Sequence, residues 1–265
     1  VYHALPQGPR GSMLVAMAYF SRSGSLLRIE GERRGKLVVF GDIHGDYEAL
    51  RTGAQMAGED DLLLFLGDFA DRGPYGVEVI EAVKTMVEAG PETIAAIKGN
   101  HEVFDESGNP AFSPCTLIPE AEEKRGGWIP FYRGIADFFA GLPLAAILPG
   151  STLFVHAGIS ETVKNEQNLE YPDAEMQERL YWSDPGPGTG EKPSPRGAGR
   201  LFGKDVTRRV CDALGVKRIV RSHEPRKAVA GPKSEHDSRI VTVSATRVYG
   251  GKAFVLVFDL AKAGE

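Results

Sequence analysis

Three short, mostly apolar runs divide the first hundred residues: KLVVF at 36–40, DLLLFL at 61–66 and TIAAIK at 93–98. Each is bounded by turn residues and has the length and side-chain mix of a strand buried on both faces. Between them the period changes to that of a helix. Asp46 can cap a segment carrying Tyr47, Leu50 and Met56, and a second runs over 77–87 with Val77, Ile80, Val83 and Val87 on one face. Strand, helix, strand, helix, strand predicts parallel βαβ units. Later runs at 152–156, 218–222, 239–245 and 252–258 are closely spaced and predict a second sheet packed on the first. Residues 115–145 read as the middle helices, with Glu120, Glu122 and Glu123 on a solvated face. The predicted class is α/β: a two-sheet β-sandwich with βαβ units flanked by helices.

Polar residues gather where the apolar runs end. GDIHG at 41–45, GDFADRG at 67–73 and GNHE at 99–102 each follow one of the three runs. In a parallel arrangement they meet at the carboxyl ends of adjacent strands. His156-Ala157-Gly158 follows TLFV, and Arg221-Ser222-His223-Glu224 follows RIV. Of six histidines, His44, His101, His156 and His223 fall at strand ends within these motifs; His3 and His236 do not. A single Gly-Asp at a strand end is ordinarily a turn or a cap. Five such motifs in order aim several metal-binding side chains at one point.

The ordered series GDxHG, GDxxDRG, GNHE, HAG and SH resembles the signature of the PPP family of metallophosphatases, the serine/threonine protein phosphatases of the calcineurin-like metallophosphoesterase superfamily. The resemblance covers residues 36–257. Trp182-Ser183-Asp184-Pro185 and Val243-Ser244-Ala245 are similar to further segments of that family. It implies the metallophosphoesterase fold in one catalytic domain over 13–265. It also implies two divalent metal ions. Asp42 and His44 would bind one, Asn100, His156 and His223 the other, and Asp68 would bridge them. Mixed carboxylate, imidazole and amide donors suit Mn, Fe or Zn better than Ca or Mg; Mn is the expected choice in vitro. Such a pair lowers the pKa of a shared water to give a hydroxide nucleophile and stabilises charge on the phosphoryl oxygens.

A serine or threonine alkoxide is a poor leaving group and calls for a general acid. The resemblance gives that role to His101, with Asp71 paired to it so that the imidazolium is favoured. Phosphate recognition calls for arginine. Arg72 is the first choice and Arg196 the second, within PRGAGRLFG at 195–203, where Arg200 is a rival. Asn100 is expected to touch the phosphate as well as a metal. Asp184 is a candidate outer carboxylate that positions such groups. The implied substrate is a phosphoserine or phosphothreonine in a protein or peptide, with no regulatory subunit assigned.

Two alternatives stand beside that reading. Diadenosine tetraphosphate hydrolases share a His-Ala-Gly-Ile run like that at 156–159 but tend to lack the Asp-Arg pair and the Trp-Ser-Asp segment. A non-catalytic binding protein would have lost a ligand or the acid, and none is missing. The chain departs from the eukaryotic pattern at Ser-Ala-Thr-Arg-Val-Tyr-Gly, 244–250, which puts an active-site role for Tyr249 in doubt. The Pro- and Gly-rich stretch 185–199 is expected to be an irregular surface loop.

A formal charge of −5 argues against a general nucleic-acid binder. Lys217, Arg218, Arg221, Arg226 and Lys227 cluster near His223 in sequence, either steering an anion or simply solvating the ends of elements. The two cysteines, Cys115 and Cys211, make no disulfide framework, and a cytoplasmic setting is the simplest. Residues 8–13, GPRGSM, resemble a protease-site remnant, so residues 1–12 are expected to be a cloning-derived tail. LVAMAYF at 14–20 is too short to span a membrane, and no membrane association is expected.

Overall fold

A computed structural model describes residues 19–30 and 35–262. The expected tail at 1–12, and residues 13–18 after it, lie outside the described residues. In chain order the strands are β1 (Tyr19–Ser23), β2 (Leu26–Glu30), β3 (Lys36–Phe40), β4 (Leu62–Phe65), β5 (Ile94–Ala96), β6 (Ala145–Leu148), β7 (Thr152–Val155), β8 (Asp184–Pro185), β9 (Glu191–Pro193), β10 (Arg200–Phe202), β11 (Arg218–Arg221), β12 (Lys233–Glu235), β13 (Ile240–Thr242) and β14 (Leu256–Asp259). The α-helices are α1 (Tyr47–Ala54), α2 (Gly76–Ala89), α3 (Leu117–Arg125), α4 (Trp128–Gly141), α5 (Gln167–Glu170), α6 (Ala174–Trp182) and α7 (Lys204–Leu214). Among the described residues, no helix is long and apolar enough to cross a membrane.

Two sheets stack face to face. One has the order β14-β3-β4-β5, the other β1-β2-β6-β7-β11-β13-β12. β3, β4 and β5 are parallel, joined through α1 and α2 as the alternation of periods predicts. Because both faces of these strands are covered, alternate residues enter different cores. Leu37, Val39, Leu62 and Leu64 join Ala146, Leu148, Phe154 and Val220 between the sheets. Val38, Phe40, Leu63 and Phe65 face outward onto Val77, Ile80, Val83 and the aromatic face of α4. On the far side, Ile147, Leu153, Val155 and Ile219 pack on Met176 and Leu180 of α6 and on Val206 and Val210 of α7. The layers therefore run helix, sheet, sheet, helix.

The sheets converge at the carboxyl ends of β3 and β13. Asp42 and Ser244 form a parallel bridge, and Ala245 N–H donates to Asp42 O at 2.9 Å. Gly41 permits this approach, since a Cβ there would stand 2.5 Å from the carbonyl oxygen of Val243. The loops after β3, β4, β5, β7 and β11 consequently open on one shared surface.

Several expectations are corrected. The last apolar run does not join the second sheet. Only Leu256–Asp259 is strand, and it pairs antiparallel with β3 at the edge of the first sheet. The N-terminal hairpin β1–β2 and strand β6 extend the second sheet beyond the predicted members. Helix α1 stops at Ala54, leaving Met56 exposed. Stretch 185–199 is not wholly irregular, because β8, β9 and β10 form a small sheet across it, with β9 inside it. Glu120 is not on a solvated face. Its carboxylate accepts the Val77 N–H at 3.0 Å at the start of α2, which has no side-chain cap of its own, and pairs with Lys124 at 2.9 Å.

That correction is testable. Glu120→Ala is expected to lower unfolding free energy by about 1–2 kcal/mol, as loss of a helix cap does. Glu122→Ala and Glu123→Ala, on exposed positions, are expected to stay within about 0.5 kcal/mol. Urea denaturation midpoints separate the three.

Candidate metal centre

Five non-glycine residues at the strand ends adopt positive φ: His44 (47°), Asp68 (55°), Asp71 (67°), Arg72 (71°) and His223 (68°). Among the described residues, the other three with this geometry form the β12–β13 turn at 236–238. L-residues rarely accept that conformation, and its concentration here marks a backbone held by its surroundings. The holding is visible. Glu102, fully enclosed, accepts N–H bonds from Asp68 (2.8 Å), Phe69 (3.0 Å) and Gly99 (2.9 Å), tying the loop after β4 to that after β5. Ile43 and His44 N–H groups donate to Asp68 O at 3.0 and 2.9 Å, adding the loop after β3.

The side chains so placed converge. His44 Nε2 lies 3.6 Å from Asp68 Oδ2 and 3.8 Å from Asp42 Oδ2. His156 Nε2 lies 3.4 Å from Asp68 Oδ1 and 3.0 Å from Asn100 Oδ1. The His223 ring stacks on that of His156 at 5.2 Å between centroids, and the His223 backbone N–H donates to Asp42 Oδ1 at 2.9 Å. All six residues named as ligands are thus brought together, with Asp68 central to two groups of potential donors.

The donor chemistry fits divalent cations. His44 Nδ1–H donates to Ala70 O at 2.8 Å and His156 Nδ1–H to Leu66 O at 2.7 Å. Carbonyl oxygens only accept, so both rings present a lone pair at Nε2. The His156 lone pair then faces the oxygen of Asn100, an arrangement that a cation reconciles. Asp42 Oδ2 and His223 Nδ1 are buried and lack hydrogen-bond partners. Buried donor atoms without partners in a ring of carboxylate and imidazole are what metal ligation uses.

Electrostatics divide the four histidines. Burial lowers His44 and His156 to about 4, and it holds His223 well below the ordinary imidazole range. These three are neutral and free to ligate. His101 moves the other way. Burial opposes its charge, but the carboxylates of Asp68 and Asp71 override that and raise it above the usual value. Its Nδ1 lies 2.7 Å from Asp71 Oδ2, and its Nε2 faces the cluster, 3.9 Å from Asp68 Oδ2. Asp71 is buried, which would raise it, yet the bond to His101 and the Leu117 and Thr116 N–H groups at the start of α3 hold it below the carboxylate range. His101 stands near enough to group with His44 and Asp68 as a ligand, but it differs from the other three in its bond to Asp71 and in the direction of its shift.

A cavity of about 540 Å³ opens over the cluster, lined by His44, Asp68, Asn100, His101 and His223 and by the cations Arg72, Arg196, Arg226 and Lys227. Arg196 Nε is 2.7 Å from Asp184 Oδ2, and the other oxygen of Asp184 is 2.6 Å from Nη2 of Arg221. Arg200 turns toward Glu191 at 4.0 Å and does not line the cavity. Tyr249 does line it, its ring 5.6 Å from that of His44 despite the displaced sequence position. Of the five basic residues near His223 in sequence, Arg221 is buried in ion pairs with Asp184 and Glu224, and Lys217 and Arg218 border a separate depression. Sequence reasoning missed Glu102, although it stands inside GNHE, and Phe112, whose ring lies 4.2 Å from that of His101.

Residues 35–227 match the sequence family described as calcineurin-like phosphoesterase. The chain is 32% identical over 251 residues to serine/threonine-protein phosphatase 5 of Arabidopsis thaliana, covering 89% of this chain and 45% of that protein. It is 30% identical to serine/threonine-protein phosphatase 5 of Homo sapiens, covering 86% and 46%. The chain therefore spans about half the length of the curated relatives it matches. Among solved structures, a protein serine/threonine phosphatase from Saccharomyces cerevisiae with similarity to human phosphatase PP5 superposes with a TM-score of 0.69 at 26% identity, covering 82% of this chain and 69% of that one. A cold-active protein-tyrosine phosphatase of a Shewanella species shares the fold, with a TM-score of 0.59 at 14% identity over 97% of this chain and 82% of that one.

Glu102→Gln tests the backbone support. An amide places N–H where three N–H donors now point, so stability is expected to fall by about 1–3 kcal/mol. Bound Mn per chain, measured by elemental analysis after dialysis, is expected to fall with it. Unchanged metal content would separate Glu102 from the ligand geometry.

Proposed function

The chain belongs to the calcineurin-like phosphoesterase family, and we propose that it is a metal-dependent protein phosphatase acting on phosphoserine and phosphothreonine. In this reading Asp42, His44 and Asp68 would hold one divalent ion, and Asp68, Asn100, His156 and His223 would hold the other. Manganese is the proposed metal in vitro, with iron or zinc as the alternatives the same donors accept. When bound, such a pair activates water for attack on phosphorus and neutralises phosphoryl oxygens.

The chain's own residues do the rest. The observation that carries the reading is the His101–Asp71 pair at 2.7 Å, with its free nitrogen turned to the ligand cluster. Asp71 fixes the ring through Nδ1–H, leaving the Nε2 proton for the departing alkoxide oxygen. Asn100 and Arg72 meet the phosphoryl oxygens from the cavity wall. Arg196 adds a guanidinium whose direction is set by Asp184, so its fork is in place before substrate arrives. Residues 13–265 are read as one catalytic domain, and unpaired Cys115 and Cys211 fit a reducing, cytoplasmic setting. Relatives at about 30% identity carry the printed name serine/threonine-protein phosphatase, which supports the peptide substrate over a nucleotide.

Two measurements test this. Metal-stripped protein restored with Mn is expected to hydrolyse phosphoserine or phosphothreonine peptides with kcat/KM at least about tenfold above that for diadenosine tetraphosphate. A reversed preference would assign the site to dinucleoside polyphosphates. His101→Asn is expected to slow phosphoserine hydrolysis by about 10²–10⁴-fold, the usual range for a lost general acid. It should slow para-nitrophenyl phosphate much less, because that leaving group needs little protonation. Equal losses would remove His101 from the acid role.

A further inference from the structure

Four cations line the cavity, but they are not equivalent. Arg196 is paired with Asp184 and Lys227 with Glu224 and Glu235, while Arg72 and Arg226 form no ion pair among the described residues. Arg72 follows Asp71 directly, lines the cavity and bears on Tyr249, and the reading above gives it the phosphoryl oxygens. Arg226 is left without a carboxylate partner and without a role in the reaction.

Its placement is nevertheless built. Arg226 sits in a single 3₁₀ turn, Pro225–Ala228, whose Pro225 and Ala228 are both buried, so the exposed side chain projects from an anchored backbone. The guanidinium carbon stacks over the Tyr249 ring at 5.5 Å. A cation on an aromatic face keeps its in-plane N–H donors free for a second partner, and stacking limits the rotamers it must give up on binding. Tyr249 in turn lies 5.6 Å from His44. Two contacts in series therefore put the guanidinium within about 11 Å of a proposed metal ligand, along the cavity wall. An extended peptide advances about 3.3 Å per residue. A side chain one to three positions from the phosphorylated residue spans that gap.

We propose that Arg226, presented on Tyr249, is a specificity-determining residue that pairs with an acidic side chain flanking the phosphorylated residue of the substrate. This rests on the protein-phosphatase reading above and adds a preference to it: acidic-flanked phosphosites over neutral or basic ones. Glu224, the nearest carboxylate in sequence, does not compete, because it is held by Arg221 at 2.7 Å and Lys227 at 3.0 Å. Arg196 and Lys227 contribute less to the preference, since their carboxylate partners already balance them. The interaction is partly solvated and weakens with salt.

The test uses the full chain loaded with Mn and three phosphothreonine peptides of equal length, flanked within three positions by Glu, Gln or Lys. kcat/KM for the Glu peptide is expected to exceed that for the Gln peptide by about fivefold to tenfold at low salt. In Arg226→Gln that ratio is expected to fall below about twofold, and Arg226→Lys to retain part of it. A ratio near one in the unmodified protein, or an unchanged ratio in Arg226→Gln, overturns the inference and leaves the phosphatase reading intact. Equal losses on all three peptides overturn it too, because Arg226 would then support the site rather than read a flank. Turnover of para-nitrophenyl phosphate with none of the peptides hydrolysed would overturn the protein-phosphatase reading, and this inference with it.

Discussion

Glu102 is the carboxylate from which the site's geometry follows. Three backbone N–H groups from two loops end on it, all at 2.8–3.0 Å. Burial raises its pKa, while those donors favour the charged form. Each of these bonds satisfies a buried N–H that would cost about 1–3 kcal/mol if left unpaired. They offset the left-handed backbone at Asp68 and fix where Gly99 stands. Asn100 and His101 follow in a single 3₁₀ turn that Glu102 itself completes. The backbone N–H of His101 then donates to Asp68 Oδ1 at 3.1 Å, so the same turn that carries His101 also orients the Asp68 carboxylate.

With the backbone fixed, electrostatics assign the side chains. The four histidines of the cluster are all buried, and burial acts on each of them in the same direction. What separates them is how far nearby carboxylates outweigh that burial. Burial keeps His44 and His156 neutral while their carbonyl partners fix which nitrogen holds the lone pair; the carboxylates of Asp68 and Asp71 raise His101 against the same burial. Asp71 can do this because α3 begins beside it and supplies two N–H groups. A helix start is a source of positive potential as well as donors, so the aspartate stays ionised where burial alone would neutralise it. In the proposed reading, ligand and acid are thus distinguished by neighbours one contact away.

That distinction marks what the sequence could reveal. Strand ends, βαβ alternation and the ligand motifs were legible because they are local: a buried strand reads as an apolar run, and its terminal turn as Gly with Asp, Asn or His. Sheet membership was not. The run ending in β14 looks like any other buried strand, and only the vacant edge of β3 decides where it pairs. Glu120 fails for a similar reason. Its sequence neighbourhood is acidic and helical, which suits a solvated face, but the start of α2 lies against it in three dimensions. Arg196 and Arg200 could not be told apart along the chain. In the structure, β10 carries Arg200 toward Glu191 and leaves Arg196 facing Asp184.

The Asp184 contacts show how a Pro- and Gly-rich segment can still present a charge accurately. Arg221 is fully buried on β11 and spreads its guanidinium over Ala157 O, Thr242, Glu224 and Asp184. A buried cation so fully paired cannot move without exposing uncompensated charge, which costs about 3–5 kcal/mol. It therefore fixes Asp184, whose remaining oxygen fixes Arg196, although the Arg196 side chain is 41% exposed. The direction of the exposed arginine is inherited from the strand through one carboxylate, not from the loop that carries it. Arg226 receives the same service from Tyr249. In both cases a cation at the cavity wall is oriented by one neighbouring side chain: buried Asp184 for Arg196, and half-buried Tyr249 for Arg226.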